Sequence, residues 1–186
     1  MRRRRPVRGM WVASLAALAM LAGCGDGRRA AGTSDAAATA GATGATNADG
    51  LGLTRVGTTE HYLVVLNVVP PEEMYLPAQA AQQHPTGGEL ILHGEMAPIT
   101  AQSRHAEAHI YSKETGKPVT DVVPEIEIAD QTDGTTQKPE ATLMQDVLIG
   151  ARDIHFGNNA VIKAGHEFSV AVTIGSEAVS FSGRLS

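Results

Sequence analysis

A second cysteine is missing from this chain of 186 residues. Cys24 stands alone, so no intramolecular disulfide can staple the fold, and a packed core has to hold it together. Aromatic residues are scarce at 4%, which leaves no obvious stacking platform for bases or sugars. The stretch from Met10 to Ala22 is uncharged and apolar, but its thirteen residues fall short of the roughly 20 that span a bilayer. There is no Gly-x-Ser-x-Gly elbow, Walker loop, His-Glu-x-x-His or dinucleotide fingerprint. Glu125 and Glu127 share one face of a strand, as polar residues do on most outer strands. These absences point to a binding protein rather than an enzyme.

Positive charge is scarce wherever the first residues are set aside. Five arginines lie within residues 1–8, ahead of the apolar stretch, in the arrangement of an export signal. Leu21-Ala22-Gly23-Cys24 closes that stretch and resembles the cleavage and lipidation box of bacterial lipoproteins. That resemblance implies a signal peptide over 1–23 and Cys24 as the lipid-modified first residue of a protein anchored on the extracytoplasmic (periplasmic) side of the membrane. Cleavage there removes five of the 15 basic residues and none of the 20 acidic ones, leaving a formal net charge of −10. A chain this acidic is no nucleic-acid binder, because phosphate recognition needs clustered Lys and Arg.

From Cys24 to residue 54 the sequence is mostly Ala, Gly, Thr, Ser and Asp. Such residues bury too little to offset their ordering entropy, so a flexible linker is expected over 24–54. Residues 55–186 suffice for one core. Their apolar segments are short, rich in Val, Ile, Leu and Tyr, and separated by turn residues: Tyr62–Val69, Leu90–His93, His105–Ser112, Val122–Ala129, Ala141–Ile149, Ala160–Ile162, Glu167–Ile174 and Ala178–Ser182. Seven or eight short strands at this spacing predict an all-β, immunoglobulin-like antiparallel β-sandwich. Thr115-Gly116 and Asp133-Gly134 supply hairpin glycines between strands. The exception is Glu72–Gln83, a helix-friendly mixture holding Pro77, which predicts either a short helix over Ala78–His84 or a long loop.

The run His105-Ala-Glu-Ala-His-Ile110 is the most informative. On a strand, His105, Glu107 and His109 share one face, while Ala106, Ala108 and Ile110 share the other. Neighbours on one face are roughly 7 Å apart. Because ligand distances are about 2.0–2.2 Å, an ion can draw two such side chains together. The strand therefore reads as half of a metal site, with His109 a solvated residue that could support its neighbours. His155, in a polar loop over 152–159, is the natural second half. Met144 and Asp146 lie together on one face of the strand before it; a thioether would favour copper and a carboxylate a harder ion. His61, His84 and His93 read as surface or edge residues, and Met74 and Met96 as packing residues.

The order His105-Ala-Glu107, Thr115-Gly116, Thr142-Leu-Met144 and His155-Phe-Gly157, preceded by Val68-Val-Pro-Pro-Glu-Glu-Met74, resembles the bacterial periplasmic iron/copper-binding proteins that accompany high-affinity iron permeases. The resemblance runs with gaps from about Tyr62 to the end. It implies an immunoglobulin-like sandwich, with His105, Glu107 and His155 as ligands of a copper or iron ion. The family's ligand methionine falls two positions beyond its Thr-Leu-Met triplet, where this chain has Asp146, so either Met144 or Asp146 completes the site. A further family histidine near the end has no counterpart; His166 does not fill that gap. The implied function is a lipid-anchored metal-binding protein supporting iron uptake through a membrane permease. The competing expectations are a tethered immunoglobulin-like adaptor that binds another envelope protein, and a copper metallochaperone.

Overall fold

The computed structural model of the protein describes residues 43–46 and 52–186. The predicted signal peptide, Cys24 and most of the predicted linker lie outside the described residues. Within that linker, Thr43–Thr46 nevertheless forms a strand (β1), and β2 (Leu53–Thr58) starts two residues before the expected domain boundary. The remaining strands are β3 (Tyr62–Val69), β4 (Met74–Tyr75), β5 (Glu89–His93), β6 (Ser103–Ser112), β7 (Glu125–Asp130), β8 (Thr135–Gln137), β9 (Thr142–Asp146), β10 (Ile154–Val161), β11 (Glu167–Ile174) and β12 (Glu177–Arg184).

The chain is an all-β sandwich, with twelve strands among the described residues where seven or eight are expected. They divide unequally into an eight-stranded sheet, β1-β2-β3-β6-β10-β9-β5-β4, and a four-stranded sheet, β12-β11-β7-β8. Every pairing is antiparallel except the short β4–β5 contact. Alternation makes the sandwich. Val64, Leu66 and Val68 of β3, Ala106, Ala108 and Ile110 of β6, and Phe156 of β10 pack against Ile126, Ile128, Phe168, Val170, Val172, Val179 and Phe181 of the smaller sheet. Burial of this apolar surface is the main stabilising term in a chain that has no disulfide to restrain it.

Local chemistry explains where the elements differ from the sequence pattern. Pro77 starts the helix Pro77–Gln83 (α1) instead of breaking it, since the first helical position needs no backbone donor. The Gln79 side chain accepts from the Leu76 amide at 2.8 Å, and His84 ends the helix in a left-handed conformation with φ of 49°. Strand β9 stops at Asp146 because the Oδ1 atom of Asp146 accepts from the amides of Leu148 and Ile149, both at 2.7 Å.

The largest departure is β10. The sequence predicts a polar loop around His155, but residues 154–161 form a strand between β6 and β9. Its asparagines fasten flanking segments to it. Asn158 binds the carbonyls of Glu95 and Glu140, and Asn159 binds the carbonyl of Glu72. A polar sequence can occupy a central strand when each side chain finds such a partner.

Candidate metal centre

One face of the eight-stranded sheet packs on the smaller sheet; the opposite face carries the histidines. Cross-strand register determines who meets whom there. His105 pairs with Val69 and Asn159, and Glu107 pairs with Asn67 and Gly157. His155 pairs with Met144, and Glu89 with Asp146. Side chains opposite one another in a sheet lie on the same face, so these strands converge on one place. Gly157 is required there, because a Cβ at that position would lie 2.4 Å from the Ala106 carbonyl oxygen. A side chain would push β10 away from β6 where the two must lie closest.

This face is not solvated. His105, Glu107, His109 and His155 are all buried, with the His105 ring wholly enclosed. That corrects the expectation of a solvated His109, and it moves His155 from a flexible loop to a fixed strand. The ring centres of His105 and His155 lie 5.9 Å apart, and those of His109 and His155 lie 4.9 Å apart. Two groups of possible ligand atoms share His155: Glu89 with His105, and Glu107 with His109.

Hydrogen bonding distinguishes the two groups. In the second, Glu107 Oε2 lies 3.1 Å from Asn67 Nδ2 and 3.2 Å from His109 Nε2, so Glu107 and His109 satisfy each other. Thr54 donates to the Asn67 Oδ1 atom at 2.9 Å, which fixes that amide with its nitrogen toward Glu107. In the first, nothing within the protein satisfies the converging atoms. Among the described residues four buried side-chain atoms have no hydrogen-bond partner; three of them are Glu89 Oε2, His105 Nε2 and His155 Nε2. Leaving a buried polar atom unpaired costs about 1–3 kcal/mol, so three at one point need a physical reason.

The other ring nitrogens supply part of that reason. His155 Nδ1 lies 2.9 Å from the Asp153 carbonyl oxygen, to which it can only donate. The proton therefore sits on Nδ1, and the Nε2 lone pair is free. His105 Nδ1 faces Asn159 Oδ1 at 3.3 Å, and Asn159 Nδ2 is held by the Glu72 carbonyl, so His105 is set in the same tautomer. Histidine ligands are oriented in this way at metal sites.

Electrostatics agree with the geometry. Burial lowers the pKa of His105 to about 4 despite the nearby Glu107 charge, and burial likewise lowers that of His155. Both rings are thus neutral near pH 7, as ligands must be. For Glu107, burial pushes upward, but the His109 hydrogen bond and, at the acidic pH where it titrates, the protonated His155 and His105 rings outweigh it and bring the pKa to about 2. Glu89 goes the other way. Burial, reinforced by the charges of Glu72 and Glu107, raises it to about 9. A cation placed against Glu89 Oε2 would replace that proton.

The sequence-derived residues therefore divide. His105, Glu107 and His155 come together, and His109 joins them. Met144 is fully buried opposite His155, packed with Met74 and Ile91. Asp146 is half-buried and outside both ligand groups, with its Oδ1 atom committed to the turn after β9. Glu89 was not anticipated. Nothing in Gly88-Glu89-Leu90 marks a buried carboxylate; only the pairing of β5 with β9 brings it to the histidines. A third histidine–carboxylate group, Asp130, Asp133 and His166, already contains the Lys163 ammonium against Asp133.

Fold and site together define an antiparallel β-sandwich with a histidine–carboxylate cluster enclosed on the far face of its larger sheet. Among solved structures, the chain is similar to a copper-bound variant of FetP from uropathogenic Escherichia coli, with 14% identity over 70% of this chain and 93% of that one at a TM-score of 0.44. It is also similar to FetP from the same source, as isolated after recombinant expression in the periplasm, with 14% identity over 70% and 90% of the two chains at a TM-score of 0.40. No protein-family model and no curated protein matches the sequence.

Proposed function

We propose that this protein binds a transition-metal cation, copper or iron, through Glu89 Oε2, His105 Nε2 and His155 Nε2, with Glu107 and His109 beside them. The reading rests on one observation: Glu89, His105 and His155 each carry a buried atom that lacks a partner, and ligand atoms of these same three residues lie within 4.8 Å of one another. One ion satisfies all three at once. Two imidazoles and a carboxylate suit iron(II), zinc and copper(II), and leave positions open on the ion. Glu107, held as an anion, adds a negative charge that favours a cation over a neutral guest.

Carriage suits the site better than catalysis, because all three ligands are at most 2% exposed. The proposed setting is extracytoplasmic, on a lipid anchor at Cys24, with the ion passed to an iron permease in the same membrane. The N-terminal sequence and the motif order given above support that setting. Calorimetric titration of the full chain with Cu(II), Fe(II), Zn(II) and Mn(II) tests the site. Saturable 1:1 binding that disappears in both His105→Ala and His155→Ala is expected. Isotherms unchanged in both variants would remove the proposal.

A further inference from the structure

Glu72 lies in the segment between β3 and β4, ahead of the buried site, and belongs to no strand. Its position is nonetheless fixed. The Glu72 amide lies 3.3 Å from Asn159 Oδ1 while its carbonyl accepts from Asn159 Nδ2 at 3.0 Å, the same asparagine that orients His105. From there its carboxyl group reaches both Glu89 and Glu107. Ligand atoms of the three residues lie within 4.8 Å of one another. Burial is graded along this row. Glu72 is partly exposed, whereas Glu89 is 2% exposed and has one oxygen without a partner.

The row continues outward. An opening of about 480 Å³ is lined by Glu72, Glu73, Asp146, Pro71, Thr86 and Gly88. Asp153, 3.9 Å from both His109 and His155, contributes a further carboxylate beside the site. The lysines with ion pairs are held elsewhere, Lys138 by Glu125 and Glu127, and Lys163 by Asp133. A cleft lined by one sign of charge concentrates counter-ions and raises their association rate by a factor of roughly 10–10³.

We infer that Glu72 is the relay through which the metal reaches its buried ligands: it takes a hydrated cation at the acidic opening and passes it to Glu89, Glu107 and the histidines. Glu89 is the hinge of the transfer, since its carboxylate lies within 4.8 Å of a Glu72 oxygen on one side and 3.7 Å from His155 Nε2 on the other. The cargo is consequently a free or cationic metal species, because an anionic chelate would meet several carboxylates before any imidazole. This inference rests on the metal-binding reading above and adds a route to it.

Stopped-flow mixing of the full chain with aqueous Cu(II) at low salt, followed by intrinsic fluorescence, separates route from site. Glu72→Gln keeps both backbone contacts to Asn159, so the segment stays in place. Association should slow about tenfold, as expected for the loss of a steering charge, while dissociation changes little, so that affinity falls by no more than about that factor with the final ligands intact. Glu114→Gln, the same charge change at an exposed hairpin, should leave both rates unaltered. An unchanged association rate in Glu72→Gln would overturn the inference. So would a loss of affinity at an unchanged association rate, which would make Glu72 a holding ligand, or equal slowing by Glu114→Gln, which would reduce the effect to bulk charge. Failure of the wild type to bind Cu(II), or undiminished binding by His105→Ala, would instead remove the site itself.

Discussion

The two faces of β6 are both buried, and they do opposite things. Ala106, Ala108 and Ile110 point into the sandwich, where removal from water stabilises the fold. His105, Glu107 and His109 point to the far side, where burial carries a cost that hydrogen bonds only partly offset. Removing a side chain from the first face should weaken the fold. Removing an unpartnered polar atom from the second should weaken binding far more than it weakens the metal-free fold.

The sharpest contrast comes from substitutions on β10 and β5, which flank β9. Phe156→Ala empties a core position beneath β10 and should cost about 3–5 kcal/mol in chemical denaturation. Glu89→Gln is isosteric with the neutral acid that Glu89 is at pH 7, so the metal-free protein should denature at the wild-type midpoint or slightly above it. Its metal affinity, by contrast, should fall by at least about 100-fold, the loss that follows removal of a buried ligand. Equal destabilisation by both variants would make the far face a second core rather than a site.

Acidity provides the next test. The pKa of His105 is depressed in the folded state, from 6.5 to about 4, so its contribution to stability is present above pH 6.5 and is lost as pH falls toward 4. That of Glu89 is raised, from 4.5 to about 9, so its contribution is present below 4.5 and is lost progressively as pH rises to 9. Between pH 4.5 and 6.5 the two trends oppose each other. Above 6.5 the Glu89 trend stands alone, and metal-free protein should become less stable from pH 6.5 to 9. Metal-loaded protein should not, because the ion has displaced that proton. Affinity should rise over the same range by up to about tenfold per pH unit, one proton being released per ion. Calorimetry in buffers of different ionisation enthalpy measures that proton directly.

The smallest expected effect concerns Met144. Met144→Leu conserves volume and should change stability by less than about 1.5 kcal/mol. If the thioether reaches the ion, Cu(I) affinity falls while Zn(II) affinity holds; if it only packs with Met74 and Ile91, neither moves.

These contrasts also show why the sequence was partly legible. The period-two pattern of β6 separates its faces correctly because alternation is a local property of the strand. It cannot tell whether the polar face is wet, since that depends on which distant segments cover it; here the backbone of Glu72 is fastened to that face through Asn159. His155 was readable as a partner from its residue type and neighbours, but not as a strand residue. Gly157, Asn158 and Asn159 disfavour strands locally and are held in one by tertiary hydrogen bonds. Glu89 was invisible for a stronger reason: its role arises entirely from a pairing between β5 and β9, more than fifty residues apart in the chain.

Anomalous diffraction from crystals grown with Zn(II) or Cu(II), recorded at the metal edge, tests convergence on one ion most directly. A single strong peak is expected, about 2.0–2.2 Å from His105 Nε2, His155 Nε2 and Glu89 Oε2. A peak at Asp130, Asp133 and His166 instead, with none on the far face of the larger sheet, would contradict it.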